Sequence, residues 1–129
     1  MKTALDDCFE VLLEHLFYDG VDLTAKLTEQ IANQNGNIKI SSDSRNFRVV
    51  FRTVISHLVV EEFAEAAANL VKSSEEGFLK KMDNLLLTNF LGLSISERYE
   101  NLNCYALLTS HEILIVFSEH IPTVELIQQ

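Results

Sequence analysis

The chain has no tryptophan, one proline and four glycines in 129 residues, and only two cysteines. So few Gly and Pro mean few tight turns, which argues against a many-stranded sandwich or barrel. Cys8 and Cys104 are too few for a disulfide framework. Both sit inside apolar patterns, where a free thiol behaves as a small buried hydrophobe. No Cys-x-x-Cys, paired Cys/His spacing or His-Glu-x-x-His occurs, so no metal is expected. No glycine-rich dinucleotide fingerprint or P-loop is present either, so no cofactor is expected. No run approaches the roughly eighteen consecutive apolar residues of a membrane span. The first residues turn acidic at Asp6-Asp7 and do not read as a secretory signal. These absences together lead to the expectation of a cytoplasmic protein.

Cations are also scarce. Ten Lys and Arg face nineteen Asp and Glu, a formal net charge of −9. A field of that sign repels phosphate backbones and anionic membranes and favours a basic protein partner. The plainer reading of the same charge is solubility.

What is present is apolar material for a real core, at 47% hydrophobic and 22% charged residues. The length fits one domain over 1–129. Phe47, Phe51, Val54 and Leu58, then Phe63, Ala66, Ala67 and Leu70, recur at the rhythm of a helix burying one stripe. Ser42-Asp43-Ser44 caps this expected helix, which runs from Ser44 to Lys72. Thr3, with Asp6 in the first turn, caps an expected first helix to Tyr18, stopped by Gly20. Leu23, Leu27 and Ile31 mark a second helix, broken by the Asn33–Asn37 cluster. Ser73-Ser74-Glu75-Glu76 and Ser94-Ile95-Ser96-Glu97 have the form of capping boxes. They open helices through Phe90 and through Glu119. A short last helix covers Thr123 to Ile127. The expected fold is an all-α bundle of about five helices. Its alternative adds a minor β-hairpin within 38–51, pairing Ile38–Ser41 with Val49-Val50-Phe51.

Arg45, Arg48 and Arg52, three and four apart, would share one helix face. Arginine forks suit phosphate or carboxylate, which makes them an anion-binding candidate. The plainer reading is that they pair with the chain's own acids. The four histidines form no ligand pair.

Arg52-Thr53-Val54-Ile55-Ser56-His57 has the spacing Arg-x4-His and resembles the signature of the HEPN ribonucleases. The resemblance covers six of the 129 residues. It implies a small all-helical protein that cleaves RNA without metal, normally across a dimer. His57 would then do acid/base work and Arg52 would stabilise developing phosphate charge, roles those side chains can perform. In the family the motif lies near the C-terminal helix, and Asn, Asp or His often follows the arginine. Here it lies mid-chain and Thr53 fills that slot.

Asp7, Glu10 and Glu14 would share one face of the first helix without a cap to explain them. Glu61, Glu62 and Glu65 form a second acidic group. A carboxylate face without matching lysines suits docking on a basic protein, such as a nuclease, as a mimic of its polyanion substrate. The expected function is therefore a non-enzymatic, acidic inhibitor of the immunity-protein, antitoxin or phage-inhibitor kind. The metal-independent ribonuclease is the alternative. A third reading is a homodimer or scaffold that joins through the apolar run Ile113–Phe117.

Overall fold

The protein is described by a computed structural model over residues 1–32, 35–61, 77–82 and 98–127. Within these residues the regular elements are strands, apart from one 3-10 helix over Ala4–Asp7. The strands are β1 (Glu10–Tyr18), β2 (Leu23–Ala32), β3 (Ile38–Lys39), β4 (Asn46–Phe51) and β5 (Val54–Glu61). They continue with β6 (Leu79–Met82), β7 (Asn103–Leu108), β8 (Glu112–Ser118) and β9 (Thr123–Ile127). The all-α bundle is thus overturned, and the chain builds two antiparallel sheets.

The first sheet has the order β1-β2-β4-β9, with β3 paired to the far end of β2. The second has the order β5-β8-β7-β6. The sheets share one core. Val11, Leu23, Ala25, Leu27, Phe47, Val49 and Phe51 from the first pack with Leu79, Tyr105, Leu107, Leu114 and Val116 from the second. Leu5, Cys8 and Val54 complete this cluster. Each buried Val, Leu or Phe among them contributes on the order of 1.5–3 kcal/mol by leaving water.

The far face of the second sheet is buried as well, around Cys104, Ala106, Ile113, Ile115 and Phe117. That explains the uninterrupted apolar run of β8. A central strand covered on both faces has no polar side to alternate with. Ile113–Phe117 is therefore interior rather than a free self-interface.

Two of the expected helices have a physical reason for being strands where they are described. In β1 the inward residues are Val11, Leu13 and Leu16, partners of Glu29, Leu27 and Ala25. The register shifts between Leu13 and His15, so Glu14 is an extra, bulged residue. The bulge turns a two-residue step into a three-residue step, and the series then imitates a helical face. Thr3 does cap, with a complete capping box to Asp6, but the helix it opens is four residues long.

In the stretch read as one long helix, Phe47 and Phe51 belong to β4, and Val54 and Leu58 to β5. The intervening Arg52-Thr53 corner, with Thr53 at φ 47, spaces them as helix turns would. The expected hairpin within 38–51 is corrected too. Both stretches are strands, but β3 pairs Ile31 and Ala32 while β4 pairs Leu23 to Thr28. The expected helical segments over 62–76 and 83–97, with both later capping boxes, lie outside the described residues.

The corner that carries the chain from one sheet to the other is held by side chains. Asp22 Oδ1 accepts the Thr53 N–H at 2.9 Å, and Asp22 Oδ2 accepts from Arg52 Nη1 at 3.0 Å. The Val54 N–H donates to the Val21 carbonyl, and the Ser118 hydroxyl donates to the Arg52 carbonyl. These bonds hold the Asp22 carboxyl below its ordinary range, the backbone bond from Thr53 first and the Arg52 bond second.

Candidate functional site

Among the described residues β1 lies at the edge of the first sheet, with β2 as its one partner strand. A nine-residue edge strand presents a row of backbone donors and acceptors to any other chain. Phe9 beside it is 62% exposed, and Phe17 and Tyr18 at its other end are 66% and 44% exposed. Aromatic surface of this kind is unusual on a solvent-facing edge and is enriched where proteins meet.

The acids singled out in the sequence run along the same segment. They do not share a helix face. Asp7 ends the 3-10 helix, Glu10 opens β1, and Glu14 is the exposed bulge residue. Glu61 closes β5, directly opposite Glu112 of β8. Glu62 and Glu65 lie outside the described residues.

Beside the start of β1 is a pocket of about 340 Å³ lined by Glu10, Val11, Gly77, Phe78, Leu108 and Thr109. The turn between β7 and β8 organises it. The Ser110 N–H donates to the Val11 carbonyl at 2.9 Å, tying the turn to β1. The Ser110 hydroxyl lies 2.9 Å from Glu10 Oε2 and also contacts Gln30 Oε1. One residue earlier, the Thr109 hydroxyl lies 3.0 Å from Glu112 Oε2 and accepts the Glu112 N–H. Glu10 and Glu61, far apart in sequence, are thus drawn to one end of the molecule through Thr109, Ser110 and Glu112.

Gly77 closes the wall opposite. Its φ is +106, and a Cβ there would stand 2.7 Å from Asp6 Oδ1. Only glycine fits that backbone and that approach.

Thr109, Ser110 and Glu112 were not among the expected site residues. Their signal was the polar break Thr-Ser-His-Glu between two apolar runs, which marks a hairpin turn.

The arginines are placed differently from one another. Arg45 forms a two-pronged pair with Glu29, at 3.1 Å from Nε and 2.7 Å from Nη2. Arg48 reaches Glu125 at 3.4 Å, and Arg52 reaches Asp22 at 3.0 Å. All three guanidiniums face carboxylates of their own chain. Only Arg48 lies on the outer face of the first sheet, in a row with His15, Lys26 and Glu125.

Arg52 and His57 sit on the corner and on β5, in place of the helix that the ribonuclease resemblance implies. The His57 ring lies against Tyr18, with centroids 5.3 Å apart. Among the described residues no three His, Cys, Asp or Glu side chains are grouped as metal ligands. No helix among them is long and apolar enough to cross a membrane.

No protein-family model, curated protein or solved structure matches the chain.

Proposed function

We propose that the protein is a non-enzymatic binding module that masks a basic partner, such as a nuclease, along the segment from the 3-10 helix through β1. The observation that carries this reading is the composition of that edge. Among the described residues no strand pairs with its outer side, where the Ser110 N–H donates to the Val11 carbonyl; it exposes Phe9, Phe17 and Tyr18, and it carries Asp7, Glu10 and Glu14 with no Lys or Arg. Exposed aromatics supply contact area, and carboxylates supply steering and choice of partner. An extended segment of the partner can also hydrogen-bond to a free strand edge.

The chain's own charge supports the same reading. Arg45, Arg48 and Arg52 are neutralised internally, so the −9 charge is expressed by acids such as those of this edge.

Calorimetric titration against poly-L-lysine and a panel of basic nucleases, at low and high ionic strength, tests it. The expected result is a complex that weakens at high salt. It should weaken again in the combined variant Asp7→Asn, Glu10→Gln, Glu14→Gln. Binding unchanged in that variant, or no binding at either salt, would overturn the proposal.

A further inference from the structure

We infer that the pocket beside β1 is a socket for one arginine or lysine side chain of the docked protein, an assignment that rests on the binding role proposed above. Its chemistry has two parts. Val11, Phe78 and Leu108 give it apolar walls, which suit the methylene stem of a long cationic side chain. Glu10 and Thr109 give it polar lining, and Glu112 stands behind Thr109 on a 3.0 Å contact. Asp6 Oδ1 lies close to Gly77, one of the lining residues. None of the described residues lining it is a lysine or arginine.

The size agrees with one side chain. Small-molecule sites run from roughly 300 to 1,000 Å³, and this pocket, at about 340 Å³, lies at the lower end.

The acceptor is also held in place before binding. The Ser110 hydroxyl, whose single proton is shared among Glu10 Oε2, the Val11 carbonyl and Gln30 Oε1, lies 2.9 Å from Glu10 Oε2, and the Ser110 N–H holds the adjoining Val11 carbonyl. A carboxylate offers about four acceptor sites. One bond from Ser110 therefore leaves Glu10 able to take a guanidinium fork or an ammonium. The pocket adjoins the start of β1, which no other strand among the described residues covers on its outer side, so a segment docked along β1 would have a side chain within reach of it.

The test is a two-dimensional amide NMR titration of the whole protein with N-acetyl-arginine amide and N-acetyl-lysine amide. The uncharged matches are N-acetyl-citrulline amide and N-acetyl-norleucine amide, and free putrescine represents a small amine. Saturable shifts of Gly77, Phe78, Leu108 and Thr109 with the arginine or lysine probe are expected. Affinity should fall about tenfold for citrulline and norleucine. It should fall similarly in Glu10→Gln, whose unchanged amide dispersion shows that it folds, and hold in Glu14→Gln.

Equal response to charged and uncharged probes, shifts confined to other residues, or tighter binding of putrescine than of either blocked amino acid would overturn the socket. The two readings also fail separately. If poly-L-lysine binds in a salt-sensitive manner while these amides stay still, the docking role stands and the socket falls. If the socket saturates with arginine and no basic protein binds, the socket stands and the docking role falls.

Discussion

Glu29 and Arg45 hold each other through backbone and side chain together. The Glu29 N–H donates to the Arg45 carbonyl at 2.8 Å, and the Arg45 N–H returns to Glu29 Oε1 at 3.1 Å. The guanidinium then grips both carboxylate oxygens. This reciprocal closure continues the line of β2 and β4 beyond Thr28 and Asn46, whose side chains bond at 2.9 Å.

Removing that carboxylate should therefore weaken the fold. Glu29 is almost buried, and Glu29→Gln leaves Arg45 without its charge partner. Hydrogen bonds to charged groups are worth about 1.5–3 kcal/mol, so a loss of about 2 kcal/mol in denaturant unfolding is expected.

Acid should act through the same group. The Arg45 side-chain bond, first among the causes, holds the Glu29 carboxyl below its ordinary value of 4.5. The native state therefore binds that proton less readily than the unfolded chain. The contribution is complete above the ordinary carboxylate range and drains away as pH falls through the lowered value. Stability measured against pH should decline in that acid window, and the decline should be shallower in Glu29→Gln.

The outer face of the first sheet offers a gain. Lys26 and Arg48 are direct cross-strand partners, flanked by His15 and Glu125. Like charges in that position oppose each other, and opposite charges contribute roughly 0.2–1 kcal/mol. Lys26→Glu should raise the urea midpoint by a shift equivalent to about 0.5 kcal/mol. An unchanged or lower midpoint would show that the row is not under strain.

Both thiols should be silent in the native protein. Burial first, then the Glu29 charge, raises the Cys8 thiol to about 11. Burial alone raises Cys104 to about 12. The thiolate is the reactive form, so alkylation by iodoacetamide near pH 8 should be negligible until the protein opens. Labelling rates that follow unfolding rates would bear this out, and fast labelling of folded protein would contradict it.

The sequence carried the local chemistry of this fold better than its architecture. Thr3 was readable as a cap because an N-cap with an acid three residues on is a local signature. The Asn-Gly turn was readable for the same reason, and Gly36 has φ +79. Strand was not readable in β1, because one bulge at Glu14 changes the period of the buried series. It was misread at Phe47–Leu58, where two strands and a tight corner add up to helical spacing. In Ile113–Phe117 period carries no information, and the brevity of the run was the better guide to a buried strand. The acids were visible as acids. The meeting of Glu10 with Ser110 beside the pocket was not, since the two are 100 residues apart and joined only by the tertiary fold.

The pairing of β4 with β9 also dictates the order in which the molecule can be completed. Arg48 and its neighbour Glu125 are separated by 77 positions. While the polypeptide is being made, β4 can acquire β2 early but must keep its other side bare until every strand of the second sheet has been translated. That side leaves a row of backbone groups open on a strand whose inner face carries Phe47, Val49 and Phe51, the pattern that invites pairing between chains. The interval before β9 arrives is therefore the most vulnerable moment in the life of this protein, and slow translation across 98–127 should lengthen it.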